Sequence, residues 1–199
     1  MSTAHVLRPR FGRVLAVVVV VISTAAAVMI LVQSPAEGWR FLPLPALFAF
    51  VTWAAYWQPS VRVADDGVTV QNVFHSVQVP WGQIARIDTR YALTLYTTRG
   101  SKVTAWAAPA PGRHSVLLAD RRQGEHLPES SYVAGSVRPG DLVSSESGAA
   151  AYVVRRHWER LRDADQLIDD GSPRRIRLHT ATIAITGALT AAVVLTVFL

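Results

Sequence analysis

The 199-residue chain contains no cysteine. That excludes disulfides and thiolate chemistry and leaves no cysteine marker of redox compartment. Lysine is almost missing as well: of the 20 basic residues only Lys102 is lysine. With much Ala and Val, this points to a GC-rich genome. HExxH, GxSxG, GxGxxG and the P-loop are all absent, so the common hydrolase, dinucleotide and nucleotide signatures do not apply. The six histidines (His5, His75, His114, His126, His157 and His179) show no zinc-ligand spacing.

What the chain does have is apolar sequence crowded at its two ends. Val14 to Val32 carries no charge and has the length of a bilayer span. Phe41 to Trp57 is shorter, with Pro43 and Pro45 marking a helix entry. Trp39 before it and Trp53, Tyr56 and Trp57 near its end suit the headgroup level. Thr180 to Leu199 is uncharged. Arg8, Arg10 and Arg13 resemble the basic region of a signal peptide, with Ala25 to Ala27 as small cleavage-site residues. The apolar run continues past that point, so the first segment is expected to stay as an uncleaved span.

Arginine sets the orientation. Arg8, Arg10 and Arg13 precede the first span, and Arg174, Arg175 and Arg177 precede the third. The positive-inside rule then places the N-terminus and residues 58–178 in the cytoplasm and the C-terminus at the outer face of an inner membrane. Residues 58–178 hold 16 of the 20 basic and 13 of the 14 acidic residues, a mild net +3. The high overall charge is therefore no argument for nucleic acid.

Between the apolar ends the period changes to two. Val61 and Val63, Val68 and Val70, Val77 and Val79, Ile84 and Ile87, Leu93 and Leu95, and the run from Lys102 predict about six short strands, a meander that suggests a small barrel or sandwich. Asp66-Gly67 is a hairpin signal, with Gly67 supplying positive φ. Pro80 belongs at a strand end. Ser115 to Arg122 reads as a short helix or another strand, and residues 123–148 as a flexible polar loop. Residues 149–170 read as an amphipathic helix. Ala151, Val154, Trp158, Leu161 and Ile168 form its apolar face, and Arg155, Arg156, Glu159 and Arg162 its charged rear face. Ser147 is the expected N-cap, and Gly171 and Pro173 the stop.

The stretch "VRVADDGVTVQNVFHSVQVPWGQIARID" resembles the front half of bacterial PH-like (pleckstrin homology) domains. In membrane proteins of actinobacteria these often follow a two-span hairpin. The resemblance rests on Asp66-Gly67, on Val79-Pro80-Trp81 and on Ile84 to Asp88. It implies a bent antiparallel β-barrel capped by a C-terminal helix, serving as a binding or assembly module without a fixed ligand. Classical PH domains bind inositol phosphates through bases on early strands and their loop; here the first turn is acidic.

The expected organisation is therefore a membrane α-helical protein with three spans and a small α+β PH-like domain. It comprises a basic tail at 1–13, a transmembrane hairpin at 14–57, a β-domain at 58–122, the polar loop at 123–148, the capping helix at 149–170 and a third span at 179–199. The structural or interaction candidates are Trp81, Trp106, Trp158 and Gly67. Packing is the simpler role for each tryptophan, and His157 reads as a solvated helix residue. Arg8, Arg10, Arg13, Arg174, Arg175 and Arg177 are the membrane-surface candidates. No catalytic residue, metal set or cofactor is expected. The expected partners are the lipid bilayer and a protein, and the expected role is a membrane-tethered scaffold module. The alternative is a structural subunit assembled through its helices, where Ala184, Gly187, Ala188 and Ala191 allow close approach.

Overall fold

The computed structural model of the chain describes residues 5–110, 131–133, 136–137, 139–141, 145–169, 171 and 173–198. Strands β2 (Ser60–Ala64), β3 (Gly67–Gln71) and β4 (His75–Val79) pair as antiparallel hairpins. The two-residue period puts Val61, Val63, Val68, Val70, Val77 and Val79 on one face, where all six are buried. The β2–β3 turn is Asp65–Asp66. Gly67 is the first residue of β3, opposite Ala64, and not a turn residue as the sequence predicted.

Two strands invisible to the sequence reading extend this sheet. β1 (His5–Leu7) pairs with β2, and β10 (Arg175–Leu178) pairs with β4, giving the order β1-β2-β3-β4-β10. A second sheet contains β5 (Ile84–Asp88), β6 (Ala92–Thr97) and β7 (Lys102–Pro109). Its inward residues, Ile84, Ile87, Leu93, Leu95, Val103 and Ala105, complete the core.

The barrel that the resemblance implies does not close, and the arrangement is the sandwich alternative: the domain has two antiparallel sheets packed on one another. The reason is local. Pro80 ends β4 and cannot donate to a ladder, and the 3-10 turn Trp81–Gln83 redirects the chain. β7 then crosses β2 and β3 without pairing to them. At that corner the Asn72 side chain stands in for a ladder. Its Nδ2 donates to Thr104 O (3.0 Å), and its Oδ1 accepts from Trp106 N (2.9 Å).

Helix α3 (Glu146–Asp163) closes one end of the two sheets with Ala150, Ala151 and Val154 buried. It begins earlier than predicted. Ser145, not Ser147, is the N-cap, accepting from Gly148 N at 2.9 Å, while Ser147 Oγ donates to Gly140 O at 2.8 Å. It also stops well before Gly171. Asp165 takes a positive φ of 53°, a left-handed conformation that Asp tolerates and that ends a helix. Ile168 therefore lies outside the helix and is exposed. The described part of 123–148 holds a small ladder of β8 (Tyr132–Val133) and β9 (Ser136–Val137) and a 3-10 turn at Pro139–Asp141. Ser115 to Arg122 lies outside the described residues.

The apolar ends form α1 (Arg10–Gln33), α2 (Pro43–Tyr56) and α4 (Thr180–Phe198). α1 packs on α2 and α2 on α4. Small residues allow the close approach: Ala16 and Ala54 are buried, and a Cβ on Gly12 would lie 2.9 Å from the Tyr56 ring. Three spans were expected, but among the described residues one helix, Gly12–Gln33, is long and apolar enough to cross a membrane. α2 has 14 residues, about 21 Å of helix against a hydrocarbon core of about 30 Å. The 3-10 turn Gly38–Phe41 delays its start, and Pro59 leads it into β2. Within α4, Thr180–Thr196 is a shorter apolar stretch than Gly12–Gln33.

Candidate functional site at the junction of helices and sheets

The chain passes between the helical layer and the sheets three times, each time through a hydrogen-bonded strand. β1 ends at Leu7 and α1 starts at Arg10; α2 ends at Tyr56 and β2 starts at Ser60; β10 ends at Leu178 and α4 starts at Thr180. His179 fixes the last crossing. Its backbone N–H donates to Phe74 O (2.9 Å), and its ring lies between Val73 O (3.1 Å from Nδ1) and Ser76 Oγ (2.8 Å from Nε2). Gln58 Nε2 also lies 3.3 Å from Nδ1; a proton on Nδ1 donates to Val73 O and leaves Nε2 to accept from the serine hydroxyl.

At this junction lies a cavity of 570 Å³, lined mainly by Gly12, Tyr56, Phe74, Ala105, Trp106 and Pro109. Its wall is apolar. Trp106 is 58% exposed on the outward face of β7, and Phe74 is 46% exposed in the β3–β4 turn. Asn72 holds both edges through its bonds to Thr104 and Trp106. Such a wall accommodates an apolar group. Among the described residues no group of three or more His, Asp or Glu stands where it could hold a metal.

The other two tryptophan candidates lie in the packing. Trp81 is buried and donates from Nε1 to Ala64 O (2.9 Å). Trp158 is half-buried on α3 and donates to Ile84 O (3.1 Å), with the Arg162 guanidinium over its ring. His157 is not a solvated residue. It stacks on Trp81 with ring centroids 4.6 Å apart. Burial lowers its pKa from 6.5, and Arg160 and His5 push the same way against Asp65. The fold thus favours the neutral ring. The expected result is that stability is fully present above about pH 6.5 and declines as pH falls from there through the lower folded value. Thermal unfolding between about pH 7 and pH 5 checks this, and His157→Gln should flatten the dependence. An unchanged slope in that variant would refute it.

The arginine candidates divide. Arg13 lies with its guanidinium 5.2 Å from the Trp57 ring centroid, between α1 and the end of α2. Arg10 opens α1. Arg175 and Arg177 are in β10, Arg174 precedes it and donates to Ser101 Oγ (2.9 Å), and Arg8 follows β1.

Sequence reasoning missed Arg155. It is 3% exposed and bridges four segments. It pairs with Asp141 and donates to Ser131 Oγ (3.0 Å) and Ile87 O (3.2 Å); Thr89 Oγ1 donates to the same carboxylate at 2.5 Å. The signal was its spacing. Arg155 follows Ala151 by four residues, so it shares the apolar stripe of α3 despite its charge.

Comparison with known proteins finds no match among curated proteins and none among solved structures. Residues 58–140 match the family model described as a bacterial PH domain, and this match supports a PH-like domain over that stretch of two antiparallel sheets.

Proposed function

We propose that the protein is a membrane-anchored, non-catalytic interaction module that holds a PH-like domain at the cytoplasmic surface of the cell membrane. The observation that carries this reading is the junction. Every passage from helix to domain runs through a strand bonded into the sheet, so the domain has no loose tether and sits directly against the helical layer. α1 supplies the anchor: the 22-residue, predominantly apolar stretch Gly12–Gln33 extends about 33 Å, and most of its valines face outward. α2 lies beside it, and α4 lies beside α2. At its far end Thr196 Oγ1 donates to Arg40 O (2.8 Å). β1 pairs with β2, so the N-terminus lies on the domain's side of the helical layer, and the arginines at that end favour the cytoplasmic side.

The cavity at the junction gives the module something to bind with, an apolar wall open beside the layer where a partner protein's side chains could seat. PH-like domains are binding modules in general, which favours interaction over catalysis. The chain is expected to remain in the membrane pellet through alkaline extraction, and a reporter fused after residue 110 should be active on the cytoplasmic side. A reporter active only outside, or a chain recovered monomeric without detergent, would overturn the reading.

One observation favours the structural-subunit alternative. Gly187 faces outward with Ala184, Ala188 and Ala191, and a Cβ on Gly187 would meet nothing within 4 Å. Under that alternative Gly187→Leu would abolish association with a membrane partner while domain substitutions would not.

A further inference from the structure

The outer face of the five-stranded sheet carries two polar rows at right angles to the strands. In the first, Arg62 lies opposite Thr69, Thr69 opposite Gln78, and Gln78 opposite Arg175. In the second, Ser60 lies opposite Gln71, Gln71 opposite Ser76, and Ser76 opposite Arg177. Arg8, one residue beyond β1, comes to the open end of the second row. The floor is hydroxyls and amides, and guanidinium groups flank it, with Val6 of β1 beyond Arg62 at the end of the first row. Together they line a trough of 750 Å³.

Four arginines face one carboxylate on this trough. Arg8, Arg62, Arg175 and Arg177 are all exposed, and none makes an ion pair among the described residues. The trough's carboxylate is Asp66, at its far corner, and that accepts from Gln78 Nε2 at 2.6 Å. Four like charges gathered on one sheet face repel one another unless an anion joins them. Orientation in a membrane does not account for Arg62, which lies inside the sheet on β2. The spacing fits a ligand. Strands about 4.8 Å apart set Arg62 and Arg175 about 14 Å apart across the floor, within reach of two long side chains closing from opposite sides. Guanidinium forks match phosphate oxygens in paired hydrogen bonds, and the hydroxyls and amides of the floor add donors.

We infer that this trough binds the headgroup of an anionic membrane lipid carrying two phosphate charges. The inference rests on the anchoring proposed above. The second row ends where the helices leave the sheet: Ser60 follows α2, Arg177 precedes α4, and Ser76 bonds His179 at the entry to α4. That end of the trough therefore opens at headgroup level. Arg8, Arg175 and Arg177 all lie outside the residues that match the PH family, so the site comes from the arms this chain adds to the module.

The test uses the full chain in nanodiscs of phosphatidylcholine alone, or with phosphatidylglycerol or cardiolipin added. Retained lipid is read by native mass spectrometry. The wild-type chain should retain cardiolipin in preference to both other lipids, with retention falling as salt rises. Arg62→Gln or Arg175→Gln should each lower it about fivefold, and the pair about thirtyfold. Arg156→Gln, exposed on α3 outside the trough, should leave it unchanged. Thermal unfolding midpoints equal to wild type show that the Gln variants keep their fold. Equal retention by wild type and the double variant, or no preference over phosphatidylcholine, would overturn the inference while leaving the anchoring intact. Free pyrophosphate binding as tightly as the lipid would overturn the lipid as source. A chain recovered without detergent would overturn the anchoring first and this inference with it.

Discussion

Arg155→Ala is expected to destabilise the protein by about 3–5 kcal/mol, the usual cost of removing one partner from a buried ion pair. The argument begins from where the group sits. Arg155 is on a helix face that otherwise presents Ala151 and Val154 to the core, and it is as buried as they are. Its charge is tolerated because Asp141 pairs with it and because Ser131 Oγ and Ile87 O accept from its two terminal nitrogens; its Nε–H is left without an acceptor among the described residues. Alanine removes the cation and leaves the Asp141 carboxylate in a dry site with the Thr89 hydroxyl as its one remaining named donor. It also removes one tie between the segment around Asp141 and α3, the bond from Ser147 Oγ to Gly140 O remaining. Asp141→Ala should cost a similar amount for the converse reason, a guanidinium left without its counter-charge.

The discriminating variant is the double one. Replacing both by apolar residues of similar size, Arg155→Met with Asp141→Leu, should restore most of the loss, since no uncompensated charge then remains. Thermal unfolding of the full chain in detergent reads all three. A single Arg155→Ala variant within about 1 kcal/mol of wild type would show that the pair is solvated and that α3 does not hold the 131–141 segment in place.

Gly67→Ala is the second large effect, expected at about 3 kcal/mol or more. Two costs combine. Gly67 has φ of +149°, a conformation that a residue with a side chain rarely adopts. Its missing side chain also faces main chain: a Cβ would lie 2.3 Å from Val79 O and 3.0 Å from Pro80 Cα. Those atoms belong to the strand end that turns the chain into the second sheet, so they cannot swing aside as a side chain would. Gly100 separates the two costs. It has a positive φ of 77°, but a Cβ there meets nothing within 4 Å, so Gly100→Ala should cost only about 1 kcal/mol. Equal losses at the two positions would mean that backbone conformation alone decides, and that the approach of Val79 to Gly67 is relieved by movement.

The strands were legible because alternation is a local signal. Each valine pair from Val61 to Val79 lies on the buried face that its period of two implies. The helix at the end of the domain was legible for the same reason, through Ala151, Val154, Trp158 and Leu161. Its ends were not. Several Ser, Asp and Gly residues near each end could serve as cap or stop, and only the completed fold shows Ser145 bonding Gly148 and Asp165 taking the left-handed turn. His157 and Arg155 were misread through composition. Both flank the apolar stripe at helical spacing, and only their neighbours show that one stacks on Trp81 and the other pairs with Asp141. The cavity at the junction could not be read at all, because Gly12, Phe74 and Trp106 are far apart in the chain.

By itself the sequence determined the placement of apolar and alternating segments, and with it the small antiparallel domain set between helical ends. These follow from each residue's affinity for water and from the period at which it recurs, both properties of a short window. The tertiary structure decided that two sheets form in place of a closed barrel, that the segments beside the flanking arginines become edge strands, and that among the described residues one helix is long and apolar enough to cross a membrane. Those outcomes depend on which backbone donors find acceptors at long range, and no local window records that.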